Sequence, residues 1–336
     1  MAIGAAFDSG IADLADLSAR IGVDPSLTQA ATGNTSIKSG GVLWIKASGK
    51  WLAHAGRGEI FIPLDLAETR NRVQQAKDPA EQSPLASGEL LRASVETAMH
   101  AVLPHSVVLH VHSVNTIAWA VRHDGPAQLA ERLAGLRWQW IPYAASGLPL
   151  AREIEAALTR SPLTNVLVLA NHGLTVCGDD CGESEAILRQ VEERLAIEAR
   201  PAPPPDDRFL AQHVAGSAWR LPEDDCIHAL ATDPLSREIV SRGVLYPCQA
   251  IFLSSNARSV PRSVFADSVK TPGPAQDPFL IVEGTGVAVS ERITDSAYAT
   301  LAGLARVVRR IDRSAPIRYL NEREIRGVLE AGIYSA

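Results

Sequence analysis

The chain has 336 residues, 46% of them hydrophobic, 21% charged and 5% aromatic. At roughly 150 residues per domain this length predicts two domains, and the apolar share excludes an intrinsically disordered chain. Lys and Arg number 32 against 38 Asp and Glu, a formal net charge of −6. There is no global basic field to gather a phosphate backbone, so nucleic acid is not an expected partner.

Met1–Gly10 lacks the basic and apolar regions of a signal peptide. No run approaches the roughly 18 apolar residues of a membrane span. The four cysteines (Cys177, Cys181, Cys226, Cys248) do not form a disulfide framework for a chain of this size. A cytoplasmic protein with no membrane partner and small buried thiols is the expectation.

Ile11, Leu14, Leu17 and Ile21 recur at helical spacing and predict a first helix, with Asp8 or Ser9 as its cap. Val42–Ala47 and 59–64 read as short strands between Gly-containing turns. A helix is predicted over 89–103, with Ser94 as an N-cap inside it and Pro104 as its stop. Val107–Val111 is a dense β-branched run, hence a strand; Val114–Val121 reads as helix and Val166–Ala170 as strand. Glu183–Ala199 carries Leu188, Val191 and Leu195 on one helical face. The stretch RPAPPPDD at Arg200–Asp207 then breaks the chain, because proline cannot continue a helix. The predicted domains are therefore 1–200 and 208–336. The second offers strands at Ala250–Leu253, Pro278–Glu283 and Gly286–Ser290, a long loop over 254–278, a hairpin turn at Gly284-Thr285-Gly286 and a helix at Asp295–Ile311. Short strands joined to helices predict an α/β or α+β layer fold with one central sheet covered by helices.

Several residues carry chemistry. His110-Val111-His112 places two imidazoles on one face of a strand; taken alone the pair is equally a metal half-site or two half-exposed histidines. His172, in Ala170-Asn171-His172-Gly173 just past a strand, supplies a third imidazole. Three histidines can form a zinc site with an open fourth position, the arrangement of a catalytic rather than a structural zinc. Glu96 and His100 lie four apart, hence on one helical face, with Ser94 just ahead. A carboxylate beside a metal and partly desolvated is a candidate acid–base. Two Gly-containing loops, Thr32–Ser36 and Lys46–Lys50, either cradle an anion with their backbone N–H groups or are ordinary β-turns.

The series Gly33-Asn34-Thr35-Ser36, Lys46-Ala47-Ser48-Gly49, Ser94-Val95-Glu96 with His100, His110-Val111-His112-Ser113 and Ala170-Asn171-His172-Gly173-Leu174 resembles the class II aldolase/adducin family, the group of L-fuculose-1-phosphate aldolase, over residues 8–200. The resemblance implies a three-layer α/β/α domain with a mostly antiparallel central sheet, followed here by a smaller C-terminal α/β domain. It implies metal ligands at His110, His112 and His172, a catalytic carboxylate at Glu96, and substrate-binding loops at Gly33, Asn34, Ser48, Gly49 and Ser94. The implied metal is Zn2+; imidazole also suits Co2+, Ni2+ and Fe2+. The implied reaction is retro-aldol cleavage of a ketose phosphate or related hydroxy-keto sugar compound. Epimerase, decarboxylase and dehydratase members share the same metal site, with sugar acids among the substrates. Adducin-like assembly modules lack the full metal set, which is complete here. A homo-oligomer, commonly a tetramer, is the implied state. Val95 stands where fuculose-type enzymes carry a second serine, which removes one hydroxyl donor from the expected phosphate pocket.

Overall fold

The computed structural model describes residues 2–58, 60–85, 91–253, 257–270 and 277–331. They form two units: the chain up to Ala120 with Gly125–Ala196, and Val121–Asp124 with Ile197–Ala331.

The first unit runs α1 (Ala2–Gly22), β1 (Asn34–Ser39), β2 (Val42–Lys46), β3 (Phe61–Asp65), α2 (Leu66–Gln74), α3 (Thr97–Val102), β4 (Val107–Val111), α4 (Val114–Ala120), α5 (Gly125–Arg132), β5 (Trp138–Ile141), α6 (Leu148–Arg160), β6 (Val166–Leu169), β7 (Gly173–Gly178) and α7 (Cys181–Leu195). The strands lie in the order β3-β2-β1-β4-β7-β6-β5. The sheet is antiparallel except where β5 pairs with β6. β4 and β7 are buried along their whole length, so Val107–Val111 shows no polar alternation: both faces of the sheet are covered. Thr35 and Ser36, neighbours on β1, face opposite ways. Thr35 bonds Ser18 of α1 at 2.7 Å, and Ser36 bonds His100 of α3 at 2.6 Å. α1, α4 and α7 thus form one layer, and α3 and α6 the other. Met99, Leu103, Val108, Ile154, Leu167 and Cys177 pack together beneath the second layer. This is the three-layer α/β/α arrangement with a mostly antiparallel sheet.

The second unit contains α8 (Asp207–Val214), β8 (Trp219–Arg220), α9 (Ala229–Thr232), α10 (Pro234–Ser241), α11 (Pro247–Leu253), β9 (Ser259–Val260), α12 (Phe265–Lys270), β10 (Phe279–Val282), β11 (Gly286–Ser290), α13 (Asp295–Val308) and α14 (Glu322–Glu330). Its sheet has the order β8-β11-β10-β9, with the predicted hairpin joining β10 to β11. Leu210, Val214, Trp219, Phe265, Leu280 and Val282 form a core cluster.

Several local expectations need correction. Ala250–Leu253 is not a strand but the end of α11, which starts at Pro247, a first helical position that needs no N–H. The loop over 254–278 contains β9 and α12, because Phe265 and Val269 find apolar partners; 254–256 and 271–276 lie outside the described residues. Asp8 and Ser9 sit inside α1, which begins at Ala2 in an Ala-rich stretch. The helix predicted over 89–103 is only Thr97–Val102, with 89–90 outside the described residues. Ser94 is not its N-cap: that position belongs to Glu96, whose side chain makes no capping bond. The strand predicted over 59–64 is Phe61–Asp65, residue 59 being outside the described residues. Gly33–Ser36, expected in a loop, leads into and opens β1. The cysteines are free thiols, Cys177 and Cys248 buried. Among the described residues no helix is long and apolar enough to cross a membrane.

Candidate metal centre

The site is built on the two central strands. His110 lies on β4 opposite Asn34 of β1 and opposite Thr175 of β7. His112, two residues on, shares its face. His172 comes from the turn between β6 and β7, where Asn171 adopts φ +50 and donates its N–H to Ala120 O at 2.9 Å. Gly173 lets this turn approach β4: a Cβ there would stand 2.5 Å from Val111 O.

The three rings form a near-equilateral triangle with centroids 4.9–5.1 Å apart, each edge-on to the others. One ligand atom from each lies within 4.8 Å of the other two, and the residues are 0%, 3% and 5% exposed. His110 Nδ1 lies 3.0 Å from Leu174 O. A carbonyl only accepts, so Nδ1 carries the proton and Nε2 presents a bare lone pair. That Nε2 is buried and has no hydrogen-bond partner. Burial pushes His110 down to about 4 and holds His112 well below the usual histidine range, so both rings are neutral at neutral pH.

Glu96 completes the group. Its Oε2 is 3.4 Å from His110 Nε2 and its Oε1 3.2 Å from His172 Nε2. Burial works against the ionised form, but the neighbouring His110, His172 and His112 imidazoles outweigh it and hold the carboxyl well below the usual carboxylate range. An orphaned imidazole lone pair facing a carboxylate oxygen is a repulsive pair unless a cation sits between them. The residues therefore fit a metal ion, and neutral nitrogen ligands with an adjacent carboxylate suit a divalent transition metal.

Asn34 and Ser94, singled out in the sequence, join this group. Asn34 Nδ2 donates to Glu96 Oε2 at 2.7 Å and to Ser94 Oγ at 3.1 Å. Gly33, at φ +68 with His110 O only 2.8 Å from where its Cβ would be, brings Asn34 onto this face. Ser48 and Gly49 stay nearer solvent. Their loop is tied in through the backbone, by Ser48 N to Arg92 O at 2.8 Å and the Ala47–Ala93 bridge.

Two residues escaped the sequence reading. Ser146 Oγ donates to Glu96 Oε1 at 3.4 Å from the segment between β5 and α6, and nothing in the sequence signals so distant a contact. Lys46 is only 2% exposed; burial pushes it down to about 7, and its Nζ donates to Ala31 O and Lys50 O at 2.8 and 2.6 Å. Its place in a Gly-containing loop was a signal, but one shared with Lys50.

The left-handed Asn171 yields a test. Alanine there pays about 1–2 kcal/mol for φ > 0, and glycine does not. Both substitutions lose the amide, so N171G is expected to unfold in urea about 1 kcal/mol later than N171A. Equal stabilities would show that backbone strain does not fix the His172 turn.

Fold and site together define a layered α/β protein with a buried histidine triad able to hold a metal ion beside a carboxylate. Residues 12–199 match the family model of the Class II Aldolase and Adducin N-terminal domain, and the chain belongs to that family. A relative from Bacillus subtilis (strain 168), the uncharacterized oxidoreductase YuxG, is 28% identical over 236 residues, covering 64% of this chain and 32% of that protein. The chain thus spans about a third of that relative's length. Among solved structures, the N-terminal class II aldolase domain of a conserved Thermoplasma acidophilum protein is 26% identical, with a TM-score of 0.48 over 55% of this chain and 90% of that one. L-fuculose 1-phosphate aldolase from Glaciozyma antarctica PI12 is 15% identical, with a TM-score of 0.40 over 57% and 73%.

Proposed function

We propose that the protein is a metal-dependent aldolase that cleaves a carbon–carbon bond in a ketose phosphate or a related hydroxy-keto sugar compound. The observation that carries this reading is the convergence of three buried imidazoles on one point beside Glu96. His110, His112 and His172 would hold the ion, Zn2+ by preference for nitrogen ligands with an open position. A bound divalent ion supplies Lewis-acid stabilisation of the negative charge that develops on the substrate's ketone oxygen.

The chain's own residues do the rest. Glu96 moves a proton between its carboxylate and the substrate carbon that gains or loses it. Asn34 holds the carboxylate through its amide N–H, and Ser146 holds the other oxygen. Gly33, Asn34, Ser48, Gly49 and Ser94 hold the far, anionic end of the substrate, setting the bond to be broken near the histidines. Burial of the site strengthens these interactions by excluding water. We place the enzyme in the cytoplasm as a homo-oligomer, a tetramer on the family resemblance, with the domains at 1–200 and 208–336 serving catalysis and a second, unassigned role.

Metal analysis with a substrate screen tests the proposal. The purified protein is expected to hold about one divalent ion per chain. Chelation should abolish aldehyde release from keto-sugar phosphates or sugar acids, and added zinc should restore it. A protein that takes up no zinc, or that releases no aldehyde from any such compound, would count against an aldolase.

A further inference from the structure

His100 is fully buried on α3 and hydrogen-bonds Ser36 and Asn34 rather than the three imidazoles, so it stands one residue removed from Glu96 in a chain of short hydrogen bonds. Its Nε2 lies 2.5 Å from Asn34 Oδ1, and its Nδ1 2.6 Å from Ser36 Oγ. Asn34 in turn reaches Glu96 Oε2 and Ser94 Oγ through Nδ2. We propose that His100, fixed in one tautomer by Ser36, is the positioning residue that sets the direction of the Asn34 amide and thereby holds the Glu96 carboxylate towards the histidine triad.

The direction of each bond follows from what each atom can do. An amide oxygen only accepts, so His100 Nε2 must donate to Asn34 Oδ1. Burial keeps the ring neutral, so its single proton is on Nε2 and Nδ1 is left to accept. Ser36 then donates its hydroxyl to Nδ1. An asparagine amide has two orientations of nearly the same shape. Turned over, Asn34 would set its carbonyl oxygen against the Glu96 carboxylate and its NH2 against an N–H. With His100 donating, every donor points one way: Ser36 to His100, His100 to Asn34, Asn34 to Glu96. Ser36 and Asn34 are alternate residues of β1 and share a face, and all four side chains are buried, Ser36 and His100 fully so. No water is needed to complete the chain. A histidine that merely filled space under α3 would need neither the short bond to Ser36 nor the one to Asn34.

This proposal rests on reading Glu96 as the acid–base beside a metal, so its test has one arm that needs no metal. In metal-free protein labelled with 15N at the histidine rings, His100 is expected in the Nε2–H form at neutral pH. S36A is expected to raise the share of the Nδ1–H form. A wild-type His100 in the Nδ1–H form, or charged, overturns the proposal.

The second arm uses the Co2+-loaded protein, whose visible absorption senses the carboxylate beside the triad. H100L and S36A are expected to retain stoichiometric cobalt but to take the spectrum of E96Q. H100Q, whose amide can still donate to Asn34, should keep the wild-type spectrum. If H100L is too unstable to purify, S36A carries the comparison. A wild-type spectrum in both H100L and S36A, with E96Q altered, overturns the role assigned to His100. Wild type that binds no cobalt overturns the metal-centre reading instead, and the tautomer result then decides the fate of the Ser36–His100–Asn34 chain. With both arms positive, S36A should lower turnover about tenfold, the effect of weakening one hydrogen bond to a charged group, with KM changed by no more than about twofold.

Discussion

Replacing Glu96 with glutamine is expected to lower turnover by about 10²- to 10⁴-fold, the usual contribution of a positioned acid–base group, while leaving the protein folded and its metal content close to wild type. Glutamine keeps the shape of the side chain and can still accept from Asn34 Nδ2 through its amide oxygen, so the 2.7 Å contact has a substitute. It cannot carry a proton to or from carbon. Glu96 caps α3 without a side-chain capping bond, so the exchange costs the helix little. The three imidazoles keep their positions because His110 is oriented by Leu174 O and Thr175 on β7, not by Glu96. The measurement is turnover of the compound found in the substrate screen, with metal content by elemental analysis. A glutamine variant with wild-type turnover would remove Glu96 from the proton-transfer step. One that lost its metal together with its activity would recast Glu96 as part of the metal site.

The legible parts of the sequence were those whose signal is local. Val107–Val111 is a strand with the predicted bounds because a fully buried β-branched run has few alternatives. The histidine pair on it follows from the two-residue period alone. His172 was readable as a loop histidine, but its meeting with the pair depends on β7 lying beside β4, a pairing of residues at least 63 apart in the chain that only the family resemblance implied. β1 and β7 were missed for a shared reason. Asn34-Thr35-Ser36 and Gly173–Gly178 are rich in polar or small residues, yet they are buried because helices cover the sheet and partners from other segments satisfy their side chains. Ser94 misled because its hydroxyl is a good cap; in the structure that oxygen accepts from Asn34 and from Glu96 N, and the helix starts at Thr97. Ala250–Leu253 is a short apolar run, for which periodicity cannot separate strand from helix, and Pro247 was the better guide.

Gly173→Ala is expected to damage both stability and metal binding, through backbone rather than chemistry. The added Cβ would lie 2.5 Å from Val111 O, 3.4 Å from His112 Cδ2 and 3.5 Å from His110 Cε1. The first distance is shorter than any real contact, and the atom it meets is backbone in a central strand, which cannot swing aside. β7 must therefore move away from β4 at the residue pair Val111–Leu174, beside the turn that carries His172. Forcing an extra carbon into a packed core costs about 1–3 kcal/mol, and here it also loosens ladder bonds, so the upper end is expected in urea unfolding. A metal site tolerates ligand displacements of only about 0.2 Å, so metal affinity should fall at least about tenfold. Gly58→Ala supplies the control: nothing lies within 4 Å of its Cβ position, and both properties should match wild type. If Gly173→Ala unfolds like that control and holds its metal as tightly, then the close approach of β7 to β4 is not what brings His172 to the other two histidines. The turn at Asn171 would then have to do so alone, a conclusion the N171A and N171G pair would check independently.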